Sequence, residues 1–296
     1  MNRDKILILG ASGFVGRHLF SRLGPTRAIA THFQQPIKHS VYFDALRMRL
    51  SEVVSVPEEI SHAVILLSDK NPETCAANVK KSYAINVDSI KSIIDSLSSW
   101  DIKPIFASTE FVFDGQNGNY AETDVVNPVI VYGQQKVEVE KYLEGSCKEY
   151  VVARLAKIYG AEENDGTLFT NWLSAVKQQK DIHCAHDQIF SPMYVGDLVD
   201  ALLRIIQMDV NGVFHFSNGQ PASRLQFLEL FLDELRKYAP VKVNTVSCSL
   251  HDFKLSEKWP LNVSLCSKKL TALTQLKMHK VEDVCKTIAQ NAFVSR

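Results

Sequence analysis

Short apolar runs alternate with stretches of helical spacing through the first half of the chain. The apolar runs predict β-strands at Ile6–Leu9, Ala28–Thr31, Val41–Phe43, Ala63–Leu67, Ile105–Ala107 and Tyr150–Ala153. Between them, apolar residues recur at helical spacing in Phe14–Leu23, Pro72–Leu97 and Val129–Leu143. Strands and helices that alternate in this way form right-handed βαβ units. The pattern therefore predicts an α/β fold with a Rossmann-like, doubly wound parallel sheet.

The second half of the chain is less regular. It predicts helices near Phe169–Gln178, Val195–Gln207 and Ser223–Tyr238, with short strands such as Val213–Phe216 between them. We therefore expect a sheet domain over residues 1–160. A smaller, mostly C-terminal α+β lobe would cover residues 161–296, with some of its segments returning to the main sheet.

Composition narrows the classes of function. The 296 residues are 46% hydrophobic and 22% charged, with a formal net charge of zero, which gives no electrostatic argument for nucleic acid or an acidic membrane as a partner. No apolar run approaches the roughly 20 residues that span a bilayer, and the first strand begins too early to leave room for a signal peptide. We expect a cytoplasmic protein. The six cysteines form no CxxC pair, so we expect reduced thiols and no metal site.

A glycine loop, GASGFVG, directly follows the first apolar run. Its first glycine allows a tight turn, the second lets the backbone approach a pyrophosphate, and the third lets helix and strand pack closely. The phosphates would bind at the N-terminus of the following helix, where free N–H groups favour anions. The loop predicts a dinucleotide site formed by Gly10, Ser12, Gly13, Phe14, Val15, Gly16 and Arg17.

The end of the second predicted strand bears on the choice of dinucleotide. It reads Ala30-Thr31-His32, without an Asp or Glu to bind a free ribose 2′-hydroxyl. Arg17 either faces a 2′-phosphate or lies in solvent on the first turn of the helix. The missing carboxylate favours NADP(H), and NAD(H) stays an alternative. His32 is included in the predicted cofactor site. Asp44, after the third strand, either accepts from the adenine amino group or caps a helix that follows.

A tyrosine and a lysine stand four residues apart in the run VYGQQK. In a helix, Tyr132 and Lys136 share one face. Both are also predicted to bind the coenzyme, Lys136 through the nicotinamide ribose. A phenol has an ordinary pKa of about 10, and a nearby ammonium favours its phenolate form. Thr109, at the end of another predicted strand, would hold and polarise a substrate oxygen. The three residues predict acid–base catalysis coupled to hydride transfer on a carbonyl or an alcohol.

These residues lie in a longer block, Ser108 to Lys141, that resembles the extended short-chain dehydrogenase/reductase family. More narrowly, it is similar to dTDP-4-dehydrorhamnose reductases and related sugar-nucleotide-binding proteins. The similarity extends over Ala153–Gly160, His186–Leu203, Gly212–Gly219 and Leu261–Leu270. The resemblance implies that Thr109, Tyr132 and Lys136 are catalytic. It also implies reduction of a C4 keto group on a nucleotide-linked 6-deoxysugar, with Tyr132 as the proton donor.

The resemblance also implies a substrate site, and the chain departs from the family pattern in parts of it. The implied substrate-binding residues are Ser108, Glu110, Phe111, Asp187 and Gln188. Glu110 stands where the family usually has Asp. The fourth strand continues as ILLSDKN instead of an alanine-rich turn, and Trp259 replaces the arginine that commonly precedes the proline. These departures leave the sugar and the nucleotide base open.

Two alternatives share the same motifs. An epimerase that keeps its NAD bound also uses a tyrosine–lysine pair. A non-catalytic binding subunit is the other, because the regulatory β subunit of methionine adenosyltransferase resembles the same family. The expected partner is a sugar nucleotide, and a homodimer is common in the family.

Overall fold

A computed structural model describes residues 3–293 of the chain. Its strands are β1 (Lys5–Leu9), β2 (Ala28–His32), β3 (Ser40–Tyr42), β4 (Ile60–Ile65), β5 (Lys103–Thr109), β6 (Val151–Leu155), β7 (Ile158–Tyr159), β8 (Ile182–Ala185), β9 (Ile189–Phe190), β10 (Met193–Tyr194), β11 (Gly212–Phe216), β12 (Ala222–Ser223) and β13 (Thr245–Cys248). A seven-stranded sheet has the order β11-β6-β5-β4-β1-β2-β3. The remaining strands form two-stranded pairs.

The central strand β1 pairs in parallel with β2 on one side and β4 on the other. Leu7 lies opposite Ile29 of β2 and Ala63 of β4. Leu7, Ile8 and Leu9 are fully buried, as expected for a parallel strand that helices cover on both faces. The predicted Rossmann-like α/β sheet is confirmed.

The helices are α1 (Phe14–Arg27), α2 (Pro72–Ala77), α3 (Val79–Tyr83), α4 (Ser89–Ser99), α5 (Val131–Ser146), α6 (Leu168–Lys177), α7 (Val195–Met208), α8 (Arg224–Arg236), α9 (Lys268–Thr274) and α10 (Val281–Phe293). Within residues 3–293, none of them is long and apolar enough to cross a membrane.

The helical pattern predicted over Pro72–Leu97 is not one continuous helix in the structure, which has α2, α3, a π-helical turn and α4 there. Asn78 interrupts it, because its side chain accepts a hydrogen bond from the backbone N–H of Lys81 at 3.0 Å and starts a new helix. A π-helical turn then follows at Ala84–Asp88 before α4 begins. Such π-helical turns are rare in proteins, and those that do occur are often found at functional sites.

The chain divides into two compact units built from interleaved segments. The first contains the chain up to Val112, together with Val126–Arg154 and Leu202–Phe214. The second contains Phe113–Val125, Leu155–Ala201 and the chain from His215 onward. The strand β11, far along the chain, joins the main sheet beside β6.

The first unit has a hydrophobic core between the sheet and its helices. Leu7 and Leu9 of β1, Ile94 and Leu97 of α4, and Val139 of α5 are all fully buried in it. Burial of one such side chain contributes roughly 1.5–3 kcal/mol relative to exposure. This core fixes α5 against the sheet, and α5 carries the tyrosine and lysine singled out by the sequence.

Candidate active site

The glycine loop after β1 adopts a conformation that depends on its glycines. Gly10 has φ +89°, and its carbonyl oxygen accepts a hydrogen bond from the N–H of Gly13 at 3.1 Å. A Cβ atom on Gly16 would lie 2.4 Å from the Gly10 carbonyl oxygen and 2.7 Å from the Cα of Ala11. Such overlaps with backbone leave no room for a side chain at Gly16, so helix and strand pack closely as predicted.

The N-terminus of α1 is open to an anion. Its N-cap residue is Gly13, and no side chain among residues 3–293 caps it. Gly13 is exposed, and an added Cβ would meet only the Gly10 oxygen, at 3.3 Å. The neighbouring predicted residues are partly or fully exposed: Ser12, Phe14, Val15 and Arg17. The first-turn N–H groups can therefore bind a phosphate.

The ends of β2 and β3 hold the other predicted cofactor residues. A hydrogen bond of 2.7 Å joins His32 Nδ1 and Ser40 Oγ. Asp44 is buried, and its Oδ1 accepts from the N–H of Leu46 at 3.0 Å. Asp44 therefore stabilises the turn after β3 through one carboxylate oxygen, instead of capping a helix.

Tyr132, Lys136 and Thr109 come together in the first unit. Their exposed fractions are 8%, 3% and 6%, respectively. Tyr132 and Thr109 share a side-chain hydrogen bond. The Lys136 ammonium donates to the carbonyl oxygen of Ala107 at 2.8 Å and lies 5.7 Å from the centre of the Tyr132 ring. A hydroxyl, a phenol and an amine thus meet where β5 ends beside the first two turns of α5.

Burial shifts the acid–base properties of this group. Burial raises the pKa of Tyr132, while it lowers the pKa of Lys136 to about 8. The buried Cys75 lies near both and also has a raised pKa, about 11, with burial as the main cause. Without an added charge at the site, Tyr132 keeps its proton at neutral pH. It is therefore in the form that can donate a proton.

Ser108, a predicted substrate-binding residue, is engaged inside the first unit. Its hydroxyl donates to Glu140 Oε1, and Arg154 Nη2 donates to Glu140 Oε2 at 2.7 Å. All three side chains are buried. The arrangement ties β5, α5 and β6 together, and it holds the strand end that bears Thr109.

The next two predicted residues continue this strand end. Glu110 is buried and begins a short 3₁₀ turn, Glu110–Val112. Phe111 is partly exposed, with its ring 6.4 Å from that of Tyr132 in an edge-on arrangement. Both residues flank the hydroxyl–phenol pair.

Asp187 and Gln188 lie in the second unit. Asp187 accepts from Ser249 Oγ at 2.6 Å and from the N–H of Leu250 at 2.7 Å. Burial alone would raise the pKa of Asp187, but these hydrogen bonds hold it below its ordinary value. Gln188 accepts from the Arg224 guanidinium at 3.3 Å. Both side chains therefore stabilise the fold of the second unit around them.

Two buried polar residues of α5 fall outside the sequence-predicted site. Glu140 forms the ion pair described above. Gln135, between Tyr132 and Lys136, donates from Nε2 to Ser82 Oγ and accepts from Asn86 Nδ2, both at 2.8 Å. A polar residue on the buried side of a helix is the sequence signal that marks them. No group of three or more His, Cys, Asp or Glu residues in the described part of the chain is arranged to hold a metal.

The chain is similar to a protein family, to individual proteins in sequence and to solved structures in fold. The model of the RmlD substrate binding domain family matches residues 4–293. A dTDP-4-dehydrorhamnose reductase of Aggregatibacter actinomycetemcomitans is 26% identical over 243 residues, 78% of this chain and 79% of that protein. The methionine adenosyltransferase 2 subunit beta of Bos taurus is 24% identical over 241 residues, covering 75% and 69% of the two chains.

A solved structure supports the fold. The dTDP-4-dehydrorhamnose reductase of Bacillus anthracis, solved in complex with NADP, superposes with a TM-score of 0.81 at 23% identity, over 97% of this chain and 99% of that one. The family model spans nearly all of the described residues, including the glycine loop and the Tyr132–Lys136 turn. The chain belongs to the RmlD substrate binding domain family.

Proposed function

We propose that this protein is an NADP(H)-dependent reductase of a nucleotide-linked 4-keto-6-deoxysugar. The observation that carries the proposal is the buried contact of Tyr132 with Thr109, one helical turn from Lys136. Its relatives include dTDP-4-dehydrorhamnose reductases, at 26% identity in one case and 29% in Mycolicibacterium smegmatis. The motif and the relatives point to the same reaction class.

A bound reduced nicotinamide would supply the hydride to C4 of the sugar, and the chain supplies the proton. Thr109 donates a hydrogen bond to the ketone oxygen and polarises it. Tyr132 then gives its phenolic proton to the alkoxide that forms at that oxygen, which yields the alcohol. Lys136, as an ammonium, stabilises the phenolate left behind. Tyr132 then regains a proton from solvent, which restores the proton donor.

The residues around the glycine loop fit a dinucleotide. The open N-terminus of α1 binds the pyrophosphate, and Gly13 leaves room for it. The end of β2 has no carboxylate to repel a 2′-phosphate. Arg17, an exposed cation on the first turn of α1, is the residue proposed to bind that phosphate. NADP(H) is therefore favoured over NAD(H), in line with the NADP in the Bacillus anthracis relative.

The test is NADPH oxidation, followed by its absorbance, with a panel of nucleotide-linked 4-ketosugars. Turnover that depends on the 4-keto group supports the proposal. Tight binding of the coenzyme without turnover of any sugar contradicts it. A parallel assay with NADH measures the cofactor preference, and equal kcat/KM values for the two coenzymes would contradict the assignment of NADP(H).

A non-catalytic role is the second candidate, because the Bos taurus methionine adenosyltransferase 2 subunit beta is 24% identical. Under it, the chain would bind the dinucleotide and a protein partner without turning over a sugar. The same panel decides between the two, since only the enzyme consumes NADPH. An epimerase that retains NAD would instead interconvert two sugar nucleotides with no net change in coenzyme absorbance.

We also propose the assembly and the location of the protein. We expect a homodimer, a cytoplasmic location and no nucleic-acid partner. Light scattering of the purified protein gives the mass in solution, and a value near the 33.3 kDa of one chain would contradict the dimer.

A further inference from the structure

A buried polar network connects the catalytic helix to the loop after β4. Gln135 lies within α5 between Tyr132 and Lys136 and is nearly fully buried. It accepts a hydrogen bond from Asn86 Nδ2 and donates one to Ser82 Oγ, each at 2.8 Å. Both amide ends of its side chain are therefore satisfied inside the first unit.

Asn86 carries the connection onward from the π-helical turn. Its Oδ1 accepts from the N–H of Asp69 at 2.8 Å, and its Nδ2 donates to the Asp69 carbonyl oxygen at 3.0 Å. One side-chain amide thus binds both polar groups of a single backbone residue. The π-helical turn places this amide where Gln135 and Asp69 are both in reach.

The loop that holds Asp69 also packs on the glycine loop. The N–H of Leu66 donates to the carbonyl oxygen of Leu9 at 2.9 Å. A Cβ on Gly10 would lie 3.0 Å from the N atom of Leu67. The segment from Leu66 to Asp69 is therefore fixed against the coenzyme loop at one end and bound by Asn86 at the other.

We infer that Gln135 is a positioning residue for the proposed reaction. Through Asn86 and Asp69, it sets where α5, and with it the Tyr132 hydroxyl, stands relative to the coenzyme loop. A hydride and a proton must reach neighbouring atoms of one substrate, so the distance between coenzyme and phenol controls the rate. A misplacement of about 1 Å costs roughly 10²-fold in rate. This inference rests on the proposed function.

The side chains of the network, Gln135, Asn86 and Ser82, are buried. A buried amide that lost its partners would destabilise the fold, because its polar groups would be left unsatisfied. An apolar residue of the same shape, such as Leu or Met, would fill the space of Gln135 without the two bonds. If Gln135 contributed only packing, its replacement by Leu or Met would change the catalytic rate little.

The test compares Gln135→Met with a matched control on the same helix, Val139→Ala. Val139 is fully buried in the hydrophobic core and takes no part in the network. We expect Gln135→Met to lower kcat by about 10- to 10²-fold, with less than threefold change in KM for coenzyme and sugar. Val139→Ala should lower the melting temperature at least as much and leave kcat within twofold.

Equal kcat values for Gln135→Met and wild type would overturn the inference. If Gln135→Met does not fold, Ser82→Ala removes one bond of Gln135 with a smaller disturbance. It should then lower kcat severalfold at unchanged KM, and an unchanged kcat would count against the inference in the same way.

A crystal structure of Gln135→Met separates this inference from the proposed function. If wild type turns over no sugar, the proposed function fails, and the position of Tyr132 still decides the inference. Loss of the Tyr132–Thr109 hydrogen bond in the variant supports a positioning role. A Tyr132 side chain that superposes on wild type shows that Gln135 does not set its place.

Discussion

Tyr132 and Thr109 share a side-chain hydrogen bond although they lie on different elements, α5 and the end of β5. Each is nearly buried, so this bond forms in a region of low dielectric constant. A substrate ketone oxygen placed between the two hydroxyls would receive a hydrogen bond from each of them. The pair is therefore already arranged for the oxygen on which the new alcohol forms.

Replacement of Tyr132 by Phe should remove the proton donor and little else. We expect kcat for sugar reduction to fall by roughly 10²–10⁴-fold, while the affinity for NADPH changes less than threefold. Stopped-flow or steady-state NADPH oxidation gives the rate, and coenzyme fluorescence gives the affinity. The control is Tyr142→Phe on the same helix, whose hydroxyl donates to Asp95 near the surface. A Tyr132→Phe enzyme as fast as Tyr142→Phe would refute the role of Tyr132.

The pH dependence of the reaction should follow Lys136. Burial lowers its pKa to about 8, so the side chain is an ammonium below pH 8 and loses its charge above. Tyr132 has a raised pKa and stays protonated over this range. We expect kcat/KM in the reduction direction to be level between about pH 6 and 7 and to fall up to tenfold per unit above pH 8. A profile that stays level to pH 9.5 would show that the charge on Lys136 is not needed.

Gly13 should be required for the coenzyme and not for the fold. An added Cβ meets only one atom within 4 Å, the Gly10 oxygen, so the side chain would extend into the space above the N-terminus of α1. We expect Gly13→Val to keep the melting temperature within a few degrees and to weaken NADPH binding more than 10²-fold, a loss of about 2.7 kcal/mol. The control is Gly145→Ala, which has nothing within 4 Å and lies near the end of α5. Normal coenzyme affinity in Gly13→Val would place the pyrophosphate elsewhere.

The buried ion pair of Arg154 and Glu140 should be important for stability. Their side chains are 6% and 8% exposed. Arg154→Met leaves Glu140 buried without its guanidinium, which we expect to lower the free energy of unfolding by about 3–5 kcal/mol. Arg236→Met breaks an exposed pair with Asp233, at 53% and 72% exposure, and should cost less than about 1 kcal/mol. Urea unfolding measures both, and equal losses would mean that burial of the pair has no effect.

The sequence predicted most of the sheet and the chemistry that lies along it. Continuous apolar runs such as Ile6–Leu9 can be buried only between two layers of helices, so their alternation with helical spacing determined a parallel sheet. The tyrosine–lysine spacing is likewise local, because four residues in a helix share one face whatever the rest of the chain does. Tyr132 and Lys136 were therefore readable before any fold was known.

The break in the helix after Pro72 was not readable in the same way. Apolar spacing continues through Asn78, and only the hydrogen bond that its side chain accepts from the N–H of Lys81 shows why one helix ends and another begins there. The partner of Ser108 was not readable either. The family resemblance implies a substrate contact for Ser108, which stays a prediction, and the structure adds that its hydroxyl donates to the buried Glu140.

What the sequence determined by itself is the set of local periods and the identity of the reactive groups, since both depend on neighbours a few residues away. What only the tertiary structure decided is which distant groups meet. Gln135, Asn86 and Asp69 are far apart along the chain and form one network, because folding brings α5, the π-helical turn and the loop after β4 together. No local pattern encodes such a pairing, since its free energy comes from burial that exists only once the elements have packed.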